Sequence, residues 1–135
     1  RQDQTGRLMD EQAHIIRLAV PSDEPGGLDA ARSGRFRRSP CFTIVDLSED
    51  VIVDVRVVRT GRHHGDRGLA SILLLGENAV DVVIVAGIGH RTLLHCVQAG
   101  IRVFAGEDRP TVRSVVQAFV DAELMPVGGD ATDLH

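Results

Sequence analysis

Midway along the chain the spacing of the apolar residues changes, and that change restricts the folds open to it. Up to Val58, short apolar runs are divided by turn residues, as strands joined by hairpins would be. Beyond it, apolar runs alternate with stretches whose apolar residues recur at helical intervals. Ile15–Val20 reads as a buried strand stopped by Pro21, and Phe42–Leu47 as a second. Ser48-Glu49-Asp50 is a tight turn, and Val51–Val58 a third strand with Val51, Val53, Val55 and Val57 on one face. Asp54 and Arg56 on its other face mark it as an edge. Leu69–Gly76 then reads as a helix with Leu69, Ile72 and Leu73 inward, and Asp81–Val85 as a fourth strand. A helix runs from the Gly87-Ile88-Gly89 turn to Ala99 and stops at Gly100. Ile101–Phe104 is a fifth strand, and Asp108 and Pro110 open a last helix with the stripe Val112, Val115, Val116 and Phe119. Right-handed crossovers turn this β-β-β-α-β-α-β-α order into a mixed α/β sheet of five strands ordered 3-2-1-4-5, flanked by about three helices, a ribonuclease H-like motif.

The 135 residues, 43% of them hydrophobic, suffice for one domain and argue against disorder. No uncharged apolar run is long enough for a membrane span. The segment 1–14 is polar and aperiodic; Met9 is a candidate start, with Arg1–Leu8 a cloning remnant. The domain is expected over residues 15–124, with 125–135 a loosely ordered tail. A net charge of −4 excludes a basic nucleic-acid footprint. All 15 cations are Arg, which removes a Schiff-base or P-loop lysine. Two cysteines, Cys41 and Cys96, make no disulfide framework, and a reducing cytoplasm is the expected setting.

This topology also forecasts a site. Ligands of open α/β sheets bind beyond the carboxyl ends of the parallel strands. Strands one, three, four and five should run to the same end, bringing together the loops Pro21–Pro40, Thr60–Asp66 and Gly87–His90, with Cys41 at the start of the antiparallel strand. A loop of about twenty residues in a small domain tends to be functional. Cys41, His63, His64 and His90 are then candidate soft ligands for a metal or metal–sulfur species. The alternatives are solvated loop histidines and a small buried thiol. Arg32, Arg35, Arg37 and Arg38 form a cationic cluster, either solvated or an anion site helped by free N–H groups after Gly89. His95 is expected on the outer face of its helix with Arg91 and Gln98, and Cys96 on the inner face with Leu93, Val97 and Gly100.

Enzyme signatures fit poorly. Gly87-Ile88-Gly89 has Thr92 where a dinucleotide fingerprint needs a third glycine. A two-metal nuclease needs clustered carboxylates, and the first strand has none, leaving only Asp23 and Asp46. No nucleophile elbow is present.

The stretches "IRLAVPSDEPGGLDAARSGRFRRSPCFTIVDL", "HHGDRG" and "DVVIVAGIGHRTLLHCVQAGIRVFAG", in that order, resemble the dinitrogenase iron–molybdenum cofactor-binding family. That family includes NifX, NafY, the C-terminal domain of NifB and short stand-alone proteins. The similarity spans about Ile15 to Leu124. It implies a non-catalytic carrier of an iron–molybdenum cofactor, its precursor or a related metal–sulfur cluster, working with a cofactor-assembly or client metalloprotein. His64 matches the family's His-Gly element and is the position carried over first. Cys41 stands where the family has an aromatic residue, and His90 where proline is usual.

The expected site is therefore His64, His63, Cys41 and His90 as metal ligands, with Arg35, Arg37, Arg38, Gly87 and Gly89 around the anion. One rival is a regulatory module binding a small anion without metal. Another is a structural protein that offers Val51–Val58 for strand addition.

Overall fold

The computed structural model describes residues 15–34, 36–61, 67–106 and 109–127. Three strands come first: β1 (Ile15–Ser22), β2 (Cys41–Ser48) and β3 (Val51–Arg59). There follow α1 (Arg67–Glu77), β4 (Val82–Val85), α2 (His90–Gln98), β5 (Arg102–Ala105), α3 (Val112–Val120) and a two-residue β6 (Met125–Pro126). The sheet order is β3-β2-β1-β4-β5-β6, so the expected 3-2-1-4-5 arrangement is present with one strand added at its far edge. Met125 and Pro126, expected in the loosely ordered tail, pair instead with Ala105 and Phe104. Two residues carry too little pattern to be read as a strand.

β1 and β2 are fully paired, from Ile15 opposite Ser48 to Ser22 opposite Cys41. The β2–β3 turn has positive φ at both central residues, Glu49 at 51° and Asp50 at 70°, the handedness that suits the strand twist. β1 and β4 are parallel, as are β4 and β5.

Strand alternation divides the core. Ala19, Phe42, Ile44, Val83 and Val85 face α1 and α2, where Ile72, Leu75 and Cys96 meet them. Leu18, Val20, Val45, Leu47, Val82 and Ile84 face α3 and its stripe of Val112, Val115 and Val116. Phe119 joins this second core at its edge. The α3 N-cap is Thr111, reciprocally bonded to Ser114, so the helix begins after Pro110 rather than at it. Gly100 stops α2 with φ at 79°, while the Ile101 N–H reaches the Cys96 carbonyl at 2.9 Å.

Two helix faces differ from expectation. On α1, Ile72 and Leu75 are buried, whereas Leu69 and Leu73 are exposed. Gly68 and Ser71 also turn inward. In a leucine-rich helix, apolar character does not fix the rotation, and small residues can take the close side. On α2, Thr92 and Cys96 are buried, Leu93 is half-buried and Val97 is exposed. His95 is half-buried, with Arg91 and Gln98 exposed.

Candidate functional site

The carboxyl ends of β1, β3, β4 and β5 and the start of β2 lie at one rim, as the parallel and antiparallel pairings require. Ser22, Cys41 and Arg59 stand side by side there.

The segment between β1 and β2 is tied down in its first half. Asp23 N–H donates to Ala31 O at 2.9 Å, and Ser33 N–H to Pro21 O at 2.8 Å. Arg32 is used as a brace: its Nε donates to Arg109 O at 2.6 Å and its N–H to Pro110 O at 3.0 Å. Gly26 crosses so closely that a Cβ there would lie 2.7 Å from Val57 Cγ1 and 3.3 Å from Cys41 Sγ. Beyond Ser33 the anchoring changes. Phe36 is buried edge-on against Phe42, with ring centroids 5.4 Å apart. Ser39 Oγ is also buried, accepting from Ser22 N–H at 3.1 Å and donating to Cys41 O at 2.7 Å. Held between those anchors, Arg37 and Arg38 point to solvent.

Three adjoining depressions meet at Arg37. One of about 460 Å³ is bounded by Gly89, His90, Arg91 and Thr92 at the start of α2. A second of about 310 Å³ adds Gly34, Phe36, Arg38, Gly87 and Ile88. The third, about 180 Å³, runs to Ser39, Pro40, Thr60, Gly61 and Ser71. At the α2 start, Gly89 provides no side-chain cap, and the first intrahelical bond is from Leu93 N–H to Gly89 O. The N–H groups of His90, Arg91 and Thr92 precede that bond, and such groups attract anions. A Cβ at Gly87 or Gly89 would meet nothing within 4 Å, so neither glycine is required by neighbouring protein atoms. Their bare backbone leaves open space at the cavity wall.

Of the expected site residues, the fold brings Arg37, Arg38, Gly87, Gly89 and His90 to these cavities. Arg35, His63 and His64 lie outside the described residues. Cys41 is not brought to the cavities. It is buried beneath the Gly26 crossing, with its thiol directed at Ser22 O (3.4 Å) and Asp23 O (3.7 Å). Burial pushes that thiol above the usual cysteine range, helped by the charges of Glu24 and Asp23 and opposed by Arg59. Cys96 is core, its pKa pushed up to about 11 by burial. Among the described residues, no three His, Cys, Asp or Glu side chains gather as they would around a metal ion.

The sequence reading missed Phe36, the anchor of the arginine pair, and Thr60 and Ser71 in the cavity wall. Thr60 was legible in part, since it follows the end of β3 at the same rim. Asp46, a carboxylate weighed for nuclease chemistry, belongs to the other end of β2. There Arg17 forks onto it, Nε to Oδ1 at 2.7 Å and Nη2 to Oδ2 at 3.1 Å.

Comparisons with known proteins agree with this architecture. The apo orange protein from Desulfovibrio gigas is 26% identical, with a TM-score of 0.76 over 85% of this chain and 95% of that one. A protein from Thermotoga provisionally assigned as NifB is 24% identical, with a TM-score of 0.65 over 83% and 93% of the two chains. A Methanocaldococcus jannaschii protein provisionally assigned as a dinitrogenase is 15% identical, with a TM-score of 0.67 over 84% and 95%. These last two likenesses concern the fold. No curated protein matches the chain. The model of the family described as dinitrogenase iron-molybdenum cofactor matches residues 14–122, and the chain belongs to that family.

Proposed function

We propose that the protein is a non-catalytic carrier that binds an iron–molybdenum cofactor, its precursor or a related metal–sulfur cluster as cargo at the β-strand rim. The observation that carries this reading is the meeting of Arg37, Arg38 and the uncapped start of α2 around one set of open depressions. Guanidinium forks and free N–H groups suit a polyanion that is incompletely enclosed. The donor set fits such a cargo better than a bare ion. A preformed cluster brings its own sulfides, so one or two protein ligands suffice, unlike the four of a structural zinc site.

In this reading His64 supplies the first metal bond, with His63 and His90 as further imidazole donors. His90 stands on the cavity wall, and Gly61, also on that wall, precedes the two adjacent histidines in sequence. Arg35 joins Arg37 and Arg38 in neutralising the cargo. Cys41 would reach a metal only with the Gly26 crossing displaced, so it is the last of the four proposed ligands to engage. A cytoplasmic setting with a cofactor-assembly or client metalloprotein goes with this role. No helix among the described residues is long and apolar enough to cross a membrane.

The same arginines and N–H groups also favour a small-anion regulatory site, the second reading. Anaerobic reconstitution with iron, molybdate and sulfide, followed by gel filtration, elemental analysis and visible absorbance, separates the two. The carrier reading expects iron or molybdenum to co-elute with a sulfide-to-metal charge-transfer band. Protein that emerges metal-free yet binds phosphate or a carboxylate would replace it with the second reading.

A further inference from the structure

β3 is the outer strand of the sheet, nine residues long and free of proline, and among the described residues β2 is its only strand neighbour. Val53 on it is 55% exposed, and Val57, partly covered by the Gly26 crossing, is still 38% exposed. A long apolar edge of this kind is a template for strand addition unless something blunts it. The only charged side chains between Val51 and Val58 are Asp54 and Arg56. Both are exposed, and they pair with each other across 3.4 Å. They stand opposite Asp46 and Ile44 of β2, on the α1–α2 side of the sheet, while Val55 and Val57 stand opposite Val45 and Thr43 on the α3 side.

We propose that this edge pairs antiparallel with the same edge of a second copy of the chain, about a two-fold axis at Val55. The sequence Val53-Asp54-Val55-Arg56-Val57 is self-complementary in that register. Val55 meets Val55 and Asp54 meets Arg56 twice, as an isologous interface requires, with Val57 flanking the ladder on each side. The two neighbouring two-fold registers are penalised. A slip one way sets Asp54 against Asp54, and a slip the other way sets Arg56 against Arg56. Parallel in-register pairing opposes like charges at both positions. The two charges therefore select one partner and one register, where a lysine or proline would close the edge altogether. The register shift opposite Asp46 and Leu47 makes Val53 the extra residue of a β-bulge, which bends the edge there and centres the shared ladder on residues 54–56. At its carboxyl end β3 leads into Thr60 and Gly61 on the rim cavity, so the antiparallel dimer holds its two rim sites at opposite ends of the ladder. Neither site is completed by the partner copy, and the inference does not rest on the cluster reading.

Sedimentation of the full chain from micromolar to near-millimolar concentration tests it, with circular dichroism melts to confirm that each variant is folded. The wild-type chain should show a concentration-dependent monomer–dimer equilibrium. Asp54→Arg and Arg56→Asp, each turning two attractive pairs into two repulsive ones, should each raise the dissociation constant by about tenfold or more. The double charge swap should restore dimerisation, and a mixture of the two single variants should give a heterodimer. A wild-type chain that stays monomeric over the whole range would overturn the proposal. So would a dimer indifferent to both single reversals, or singles that do not combine on mixing.

Discussion

The two halves of the segment between β1 and β2 have opposite fates. From Asp23 to Ser33 its backbone is bonded to the Pro21 and Pro110 carbonyls, and Gly26 presses onto Val57 and Cys41. From Gly34 to Ser39 two side chains, Phe36 and Ser39, do the anchoring, and the arginines between them face solvent. The first half closes over a cysteine; the second holds cations open beside a helix start. One loop thus divides into a packed half and an open half, according to whether its backbone or a few of its side chains are tied down.

Phe36→Ala should have the largest effect on the open half. Removing a buried aromatic side chain costs about 3 kcal/mol or more, and the arginine segment loses its anchor. Urea denaturation should record the stability loss, and anion affinity should fall with it even where the protein remains folded. Gly26→Ala tests the closed half. Its φ of 82° and the 2.7 Å approach to Val57 leave no room for a Cβ, which predicts a loss of about 2 kcal/mol. Here the affinity of the folded protein for anions should be preserved.

The buried thiols give a pH signature. With the Cys96 pKa at about 11 in the folded state against an ordinary thiol value of 9.0, the unfolded chain loses that proton first as pH rises. Stability is therefore unaffected below about pH 9 and declines between there and pH 11, by at most about 2–3 kcal/mol from this group. Cys41, raised in the same direction, adds to the decline. Denaturation midpoints from pH 7 to 11 should show the slope in the wild-type chain and a smaller one in Cys96→Ala. The smallest stability effect belongs to the open half: Arg37→Ala and Arg38→Ala should each stay within about 0.5 kcal/mol of wild type. Their effect should appear in anion binding instead, and weaken at high salt.

The strand order and the rim were legible because hydrophobic period and crossover handedness are properties of short sequence windows. The rotation of α1 was not, since Leu69, Leu73, Leu74 and Leu75 are equally apolar and the inward choice of Ile72 and Leu75 depends on the sheet below. The gathering of Arg37, Arg38, Gly87, Gly89 and His90 at the rim cavities was legible, because the topology brings their loops together. Placement of Cys41 at the rim also followed from topology, but its closure did not. That closure depends on a glycine fifteen residues earlier taking a left-handed conformation and lying against it. Phe36 could not be recognised as an anchor from a run of arginines, because its partner Phe42 is reached only through the folded loop.

In the proposed carrier role, a metal–sulfur cargo is held at the rim by histidine and arginine together. Anaerobic titration with a preformed iron–molybdenum–sulfur cluster, followed by visible absorbance and metal content, tests it on His64→Ala, the Arg37→Ala/Arg38→Ala pair and His95→Ala. Replacing His64 removes a metal bond and should weaken binding most. The arginine pair removes part of a distributed field and should weaken it less, the more so at high salt. His95→Ala should bind as wild type. Loss of binding in His95→Ala with retention in His64→Ala would contradict the claim and move the site to the face of α2.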